Sequence, residues 1–228
     1  MAYLFVRRST NGIVDMKIVA ALTDPAHASR AQDQGADIAE LRFDLMEGED
    51  PVSIVQACRD ACSMPIIATV RSAEEGGRFF GSAEDWFEKI RPVIPIVDFI
   101  DIEQRYASRA TWVTQAGKMI IASHHAGTMI PLHDLFLLER DLRVYGDIVK
   151  IIVTPLEEDD IINLIAFTHA VKKPLCTGVM GTRFRYARAI LPLFGSHLVY
   201  CHAGKKTADG QYSVDEFVGL MKILTGDP

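Results

Sequence analysis

Short apolar runs alternate with longer segments of helical periodicity along almost the whole chain. The runs are rich in Val, Ile, Leu and Ala, whereas the longer segments repeat apolar residues at helical spacing. This pattern predicts eight strands, each followed by a helix. The predicted strands are 17–22, 37–42, 65–70, 97–103, 118–123, 148–153, 174–180 and 198–201. The predicted helices are 25–35, 51–62, 83–91, 106–116, 131–144, 157–171, 184–193 and 213–224.

The alternation of strand and helix predicts an α/β fold. Strands that are apolar throughout are typical of a parallel sheet covered by helices. Eight strand–helix units favour a single (β/α)8 TIM barrel over an open doubly wound sheet, whose first strand is usually followed by a glycine-rich turn. We expect residues 1–228 to form one catalytic domain, with residues 1–15 as a short N-terminal extension.

A lysine in the middle of the sixth apolar run is the first candidate for chemistry. Lys150 is flanked by Val149 and Ile151, and burying an unpaired ammonium group costs much free energy. Such a lysine tends to lose its proton, and the neutral amine can form a Schiff base with a ketone or aldehyde. The alternative is an ammonium group that extends from the strand end or pairs with a carboxylate.

Side-chain alternation indicates which polar residues share the barrel interior with this lysine. In a strand, every second side chain points to the same face, and the C-terminal strand ends of a barrel carry its chemistry. The polar residues that this alternation assigns to the inward face, besides Lys150, are Glu40, Arg42, Asp44, Arg71 and His125. We expect them to converge on a polar ligand. A set of internal salt bridges at the barrel mouth is the alternative.

His125 is a candidate for proton transfer, because an imidazole can take and return a proton near neutral pH. The neighbouring His124 is expected to point to the other side of the strand. A capping or core histidine is the alternative for His125. No His-Glu-x-x-His or comparable ligand spacing occurs in the sequence, which disfavours a metal site.

Three loops at the C-terminal end of the predicted barrel have unusual composition. The loop after the third strand contains Gly76 and Gly77, which permit close backbone approaches. The segment after the seventh strand carries three arginines suited to binding an anion, Arg183, Arg185 and Arg188. The polar loop 204–211 after the eighth strand is suited to a lid. An exposed helix start and an ordinary surface loop are the respective alternatives for the last two.

Composition limits the partners of the chain. The 30 acidic and 24 basic residues give a net charge of -6, which disfavours nucleic acid and anionic membranes as partners. No apolar stretch is long enough to span a membrane, and no signal peptide is recognisable, so a cytoplasmic location is expected. The four cysteines lack zinc-type spacing, and we expect them to be reduced and buried.

Seven short motifs in order resemble those of the type I 3-dehydroquinate dehydratases, over nearly the whole chain from about Met16. They are Glu-Leu-Arg-Phe-Asp at 40–44, Thr-Val-Arg-Ser-Ala-Glu-Glu-Gly-Gly at 69–77, Ser-His-His at 123–125, Asp-Ile-Val-Lys at 147–150, Met-Gly at 180–181, Phe-Gly-Ser at 194–196 and Gly-Gln at 210–211. Any one of these motifs could occur by chance. The complete ordered set makes the resemblance specific.

The resemblance implies roles for individual residues. Lys150 matches the Schiff-base lysine, His125 the proton-transfer histidine and Glu75 the acidic residue near that histidine. The residues that match substrate-binding positions are Glu40, Arg42, Arg71, Arg188, Thr207 and Gln211. The chain departs from the family pattern at Ala126, Ala187, Thr207 and Asp209 and within 182–185, which affects lid geometry more than the reacting groups.

The resemblance also implies a reaction. A Schiff-base lyase of this kind converts 3-dehydroquinate to 3-dehydroshikimate and water in the shikimate pathway, which leads to chorismate and the aromatic amino acids. It needs no metal and no organic cofactor, and it often forms a homodimer. The remaining alternatives are another lysine-dependent barrel, such as a class I aldolase, and a barrel that binds a ligand without catalysis.

Overall fold

The structure is a computed structural model that describes residues 16–46, 48 and 50–226. The expected extension at residues 1–15 lies outside the described residues. The strands are β1 (Lys17–Leu22), β2 (Ile38–Arg42), β3 (Ile66–Thr69), β4 (Phe99–Glu103), β5 (Met119–His125), β6 (Ile148–Val153), β7 (Leu175–Val179) and β8 (Leu198–His202). The helices are α1 (Ala28–Asp33), α2 (Pro51–Ala61), α3 (Ala83–Ile90), α4 (Ala110–Gln115), α5 (Leu132–Arg143), α6 (Glu158–Ala170), α7 (Ala187–Ile190) and α8 (Val214–Thr225).

The eight strands form one parallel sheet in the order β7-β6-β5-β4-β3-β2-β1-β8. Because β1 lies between β2 and β8, the sheet curls round until β8 approaches β7, and the (β/α)8 barrel prediction is confirmed. A side chain bridges this last junction: the Ser196 hydroxyl accepts the backbone N–H of Thr177 at 2.9 Å. We call the junction of β7 and β8 the seam.

Several predicted helices are shorter than their periodicity suggested. The segment before α4 is a 3-10 helix, Gln104–Arg109, and another 3-10 helix, Leu191–Phe194, replaces the second half of the predicted helix 184–193. Pro192 accounts for the second case, because it supplies no N–H for a helical hydrogen bond. By contrast, strand β5 is longer than predicted and extends two residues beyond the predicted end, to His125.

The apolar core has two layers that the strands separate. Between the strands and the helices, large side chains such as Trp86, Phe167 and Phe217 are fully buried. Inside the barrel, one apolar residue from each strand forms the floor: Val19, Ile38, Ile67, Phe99, Ile121, Ile148, Cys176 and Leu198. This floor closes the N-terminal end, so the interior is open to ligands only towards the C-terminal strand ends.

Among the described residues, no helix is both long and apolar enough to cross a membrane.

Candidate active site

Polar side chains replace apolar ones directly above the barrel floor. Two residues beyond the floor position on their strands lie Glu40, Thr69, Asp101, Ser123, Lys150 and Tyr200. Two residues further along the chain, and still on the inward face, lie Arg42, Arg71, Glu103 and His125. The inward face that alternation predicted is therefore observed, and its charged groups line or support one pocket at the C-terminal end of the barrel.

Lys150 is buried at the base of this pocket, with 4% of its surface exposed. Its Nζ donates a hydrogen bond to Asp101 Oδ2 at 3.0 Å and lies 3.9 Å from Glu40 Oε1. The Glu40 carboxylate also accepts the hydroxyl of Thr69 at 2.8 Å. The lysine thus pairs with carboxylates, as the alternative interpretation of the sequence allowed, and still faces the pocket.

Arg71, which follows β3, binds two carboxylates of the neighbouring strand β4. Its guanidinium group donates to Asp101 Oδ1 at 2.8 Å and to Glu103 Oε1 at 3.0 Å, and it is almost fully buried. Burial raises the pKa of Asp101, but Arg71 and Lys150 outweigh that effect and lower it to about 2. Asp101 is therefore a fixed negative charge beside the lysine nitrogen.

A single turn of 3-10 helix, Ala73–Glu75, places the Glu75 carboxyl group at the pocket wall. Ser72 caps this turn, and its hydroxyl donates to Glu103, which anchors the loop to the barrel. The turn ends at Gly76 in the left-handed region, with φ of 82°. Gly77 then packs so closely that an added Cβ would lie 2.2 Å from the Arg71 carbonyl oxygen. Only glycine fits there.

The Glu75 carboxyl group holds His125 in a defined tautomer. Glu75 Oε2 accepts the backbone N–H of His125 at 3.1 Å and an Arg71 N–H at 3.2 Å. An oxygen with two such donors acts as an acceptor, so the contact at 2.9 Å is donated by Nδ1–H of His125. The other ring nitrogen, Nε2, is then unprotonated and can act as a base.

Burial governs the protonation of both partners. It raises the pKa of Glu75 to about 8, although Arg71 offsets part of the effect. Burial also lowers the pKa of His125 well below its ordinary value, and Arg71, Lys150 and Arg42 lower it further. His125 is therefore neutral in the resting site. His124, predicted to face away, is half-buried, with Nδ1 3.7 Å from Glu75 Oε1.

Arg42 also lines the pocket, and it forms a bidentate ion pair. Its Nε and Nη2 donate to the two oxygens of Asp44 at 2.9 and 2.8 Å, and both residues are buried. This pair fixes the plane of the guanidinium group and leaves Nη1 without an acceptor in Asp44. The expected internal salt bridges are thus present, and they orient groups that line the pocket.

The loop after β8, which the sequence suggested as a lid and which we call the lid, lines the pocket with Thr207, Ala208 and Gln211. Thr207 donates both its backbone N–H and its hydroxyl to Gln211 Oε1, at 3.0 and 3.1 Å. Arg188 Nη2 donates to the carbonyl oxygen of Asp209 at 3.2 Å, which connects the lid to α7. Arg188, Thr207 and Gln211 all line the pocket, as expected of substrate-binding residues.

The prediction of a three-arginine anion site is wrong in two of its members. Arg185 pairs with Glu216 at 3.0 Å on the outside of the barrel and lies over the Tyr212 ring. Arg183 is exposed and lies over the Phe184 ring. Of the three, Arg188 lies on α7 and lines the pocket, whereas Arg183 and Arg185 lie in the turn that precedes this helix.

The cysteine prediction also needs one correction. Cys58, Cys176 and Cys201 are buried, but Cys62 is only partly buried because it lies at the C-terminal end of α2. All four are free thiols. No group of three or more potential metal ligands occurs within the described part of the chain.

Three residues of the site were not assigned to it from the sequence: Asp101, Glu103 and Tyr200. The signal was present, because β4 alternates as Phe-Ile-Asp-Ile-Glu and places both acids on the inward face. The same alternation places Tyr200 two residues after the floor residue Leu198 in β8.

The fold and the site define a class: a (β/α)8 barrel with a buried lysine, a carboxyl-oriented histidine and an arginine of α7 around one pocket. The sequence model of the family described as Type I 3-dehydroquinase matches residues 18–228. The chain belongs to this family.

Individual relatives agree with this assignment. A 3-dehydroquinate dehydratase of Methanoregula boonei is 66% identical over 210 residues, which cover 92% of this chain and 100% of the relative. The crystal structure of the 3-dehydroquinate dehydratase from Aquifex aeolicus matches with a TM-score of 0.80 and 27% identity, covering 91% of this chain and 98% of that one. The enzyme from Geobacillus kaustophilus, at 22% identity, has the same fold with a TM-score of 0.84 over 93% and 92% of the two chains.

Proposed function

We propose that the chain is a 3-dehydroquinate dehydratase, a hydro-lyase that converts 3-dehydroquinate to 3-dehydroshikimate and water. The observation that carries the proposal is that Lys150, His125 and Arg188 line one pocket in a chain of this family. The highly similar Methanoregula protein bears the name of this activity. A single catalytic domain stays a prediction from the sequence pattern, and a homodimer stays a prediction from the resemblance.

In the first step, the amine of Lys150 attacks the C3 ketone of the substrate. Loss of water from the resulting carbinolamine gives an iminium, and the lysine nitrogen keeps a positive charge. Asp101 and Glu40 already face that nitrogen, so the charge forms where the site is preorganised for it. The iminium withdraws electrons from C2 and acidifies its hydrogens.

In the second step, His125 removes a proton from C2. Its Nε2 is the free base nitrogen, since Nδ1–H is bound to Glu75. The imidazolium that forms is stabilised by the carboxyl group of Glu75 and can deliver its proton to the departing C1 hydroxyl. Water leaves, and hydrolysis of the iminium releases 3-dehydroshikimate and restores Lys150.

Arg188 binds the substrate carboxylate in this proposal. A guanidinium group suits a carboxylate, and Arg188 is bound to the lid only through one backbone carbonyl. Gln211 and Thr207 close the pocket from above, and Arg42 faces the substrate hydroxyls from the side. Arg71 is largely engaged with three carboxyl groups, so its main contribution is to hold them in place.

Two other functions were open from the sequence. A class I aldolase uses the same lysine chemistry but breaks a carbon–carbon bond, and family membership disfavours it. A barrel that only binds ligands does not need a histidine that a carboxyl group orients in the same pocket as the lysine, and this arrangement disfavours it.

The proposal is tested by mixing the protein with 3-dehydroquinate, adding borohydride and measuring the intact mass and the modified peptide. Formation of the conjugated product is followed by its ultraviolet absorbance. We expect product and a reduced adduct on Lys150, both lost in Lys150→Met. Lys172→Met, which removes an exposed lysine, serves as the control and keeps both. Product formation by the Lys150 variant contradicts the mechanism, and a wild-type protein that forms neither product nor adduct contradicts the function.

A further inference from the structure

The face of an aromatic ring lies against the nitrogen of Lys150. Tyr200 is the inward residue of β8 directly above the barrel floor, and the centre of its ring is 3.8 Å from Lys150 Nζ. This distance is well within the range at which a cation interacts favourably with the face of an aromatic ring. The two residues line the same pocket, so a substrate bound to the lysine also meets the ring.

The carboxylates around Lys150 bind its nitrogen through N–H hydrogen bonds. The ring of Tyr200 interacts with the positive charge and needs no N–H group. An ammonium group has three N–H donors, whereas a protonated imine has one. Formation of the iminium therefore leaves one N–H to serve both Asp101 and Glu40, which lie 3.0 and 3.9 Å from the nitrogen of the free enzyme. The interaction with the ring face depends on charge alone and survives this change.

The hydroxyl group of Tyr200 does not account for the position of this side chain, which leaves the ring as the part that interacts with Lys150. Tyr200 Oη is buried and has no hydrogen-bond partner among the residues that the structure describes. Burial raises the pKa of Tyr200 well above its ordinary value, and Glu40 and Asp101 raise it further, so the phenol stays neutral. An unpaired hydroxyl costs stability, and no polar contact explains the orientation of the side chain.

The barrel floor supports the ring of Tyr200. The side chain lies on β8 at the seam and packs against the cluster of floor residues. Ile152 packs against the same cluster and lines the pocket together with Tyr200. The ring therefore contacts the apolar floor as well as the nitrogen of Lys150.

We propose that Tyr200 is a positioning residue whose ring face stabilises the positive charge on the Lys150 nitrogen in the iminium. The ring thereby raises the ratio of covalent to free enzyme during turnover. This inference rests on the function proposed above and adds a residue to it.

The test compares Tyr200→Phe, which keeps the ring, with Tyr200→Leu, which removes it. Each protein is mixed with 3-dehydroquinate, quenched with borohydride in the steady state, and analysed for the fraction of chains that carry the reduced adduct. We expect the phenylalanine variant to match the wild type and the leucine variant to show roughly a tenfold lower covalent-to-free ratio. Tyr186→Leu removes a half-exposed tyrosine on the outside of the barrel and serves as the control.

A leucine variant that forms as much adduct as the phenylalanine variant overturns the inference. Should the leucine variant not fold, phenylalanine analogues with one, two or three ring fluorines at position 200 keep the volume and weaken the ring face in steps. The covalent-to-free ratio is expected to fall with each fluorine, and a constant ratio overturns the inference.

A measurement without substrate separates this inference from the proposed function. Acetic anhydride modifies only neutral amines, and its reaction with Lys150 is followed by peptide mass spectrometry as a function of pH. We expect modification to begin at lower pH in Tyr200→Leu than in Tyr200→Phe, because the ring no longer favours the charged form. Identical profiles contradict the role of the ring, whereas a wild type without a dehydroquinate adduct contradicts the function.

Discussion

The pairing of Glu75 with His125 leads to a sharp prediction for Glu75→Gln. The substitution removes a negative charge and keeps the shape of the side chain. Two donors, the His125 backbone N–H and Arg71, converge on Oε2 and orient the glutamine with its carbonyl oxygen at that position. The variant therefore keeps the tautomer of His125 and loses only the charge that supports the imidazolium.

The size of the effect follows from the kind of hydrogen bond that is lost. In the charged state, the imidazolium meets a carboxylate in the wild type and a neutral amide in the variant. Charging a hydrogen-bond partner strengthens the bond by about 1–2 kcal/mol, since bonds to charged groups contribute about 1.5–3 kcal/mol and neutral ones about 0.5–1.5 kcal/mol. The Glu75 side chain is only 10% exposed, so solvent screens this difference little. A loss of roughly 5- to 30-fold in kcat/KM is expected wherever Glu75 is ionised.

The pH dependence gives the prediction its direction. Burial raises the pKa of Glu75 to about 8, so the wild-type carboxyl group is protonated, and resembles glutamine, at lower pH. Wild-type kcat/KM should rise between about pH 6 and about pH 9, and this rise should be absent from Glu75→Gln. The two proteins converge at low pH. Because the two groups are in contact, the midpoint belongs to the pair and not to either residue alone.

The assay is the ultraviolet absorbance of the conjugated product at a series of pH values. Glu74→Gln is the matched control, because Glu74 is the exposed neighbour that pairs with Arg105 outside the pocket. Its profile should follow the wild type. If kcat/KM of Glu75→Gln is reduced equally at both ends of the pH range, Glu75 is charged throughout that range. If kcat/KM is not reduced at any pH, Glu75 does not support the imidazolium of His125.

Three further outcomes are expected. Arg188→Met should raise KM for 3-dehydroquinate about 10- to 100-fold, because it removes a charge-assisted contact with the substrate carboxylate. Arg183→Met changes an exposed residue and should leave KM unaltered. Equal effects of the two substitutions refute the role of Arg188 in substrate binding. Gly77→Ala should lower the unfolding free energy in urea by about 1–3 kcal/mol, since its Cβ would lie 2.2 Å from a backbone oxygen, whereas Gly127→Ala, with nothing within 4 Å, should be neutral. The pKa of Asp101 is lowered from 3.8 to about 2, which contributes about 2 kcal/mol to the unfolding free energy above pH 3.8. This contribution is lost as the pH falls towards 2, so Asp101→Asn should lack this part of the acid dependence of stability. An unchanged acid dependence in the variant argues against the lowered pKa.

Much of the barrel could be predicted from the sequence alone. The alternation of apolar runs with helical segments is a local property, since each strand must be apolar on both faces to fit between the interior and the helices. Strand parity is also local, because the direction of a side chain in a strand depends only on its position. It predicted that Lys150, Glu40, Arg71 and His125 share the inward face.

Tertiary structure decided how those side chains pair. Lys150 and Asp101 are 49 positions apart in the chain, yet their charged atoms lie 3.0 Å apart, and no periodicity predicts such a contact. It also selected Arg188 over Arg183 and Arg185, because α7 places Arg188 at the pocket, whereas the other two lie in the turn before this helix. Periodicity therefore determined which face each residue occupies. The closure of the barrel determined which charges meet across it, since that requires strands far apart in the chain to be brought side by side.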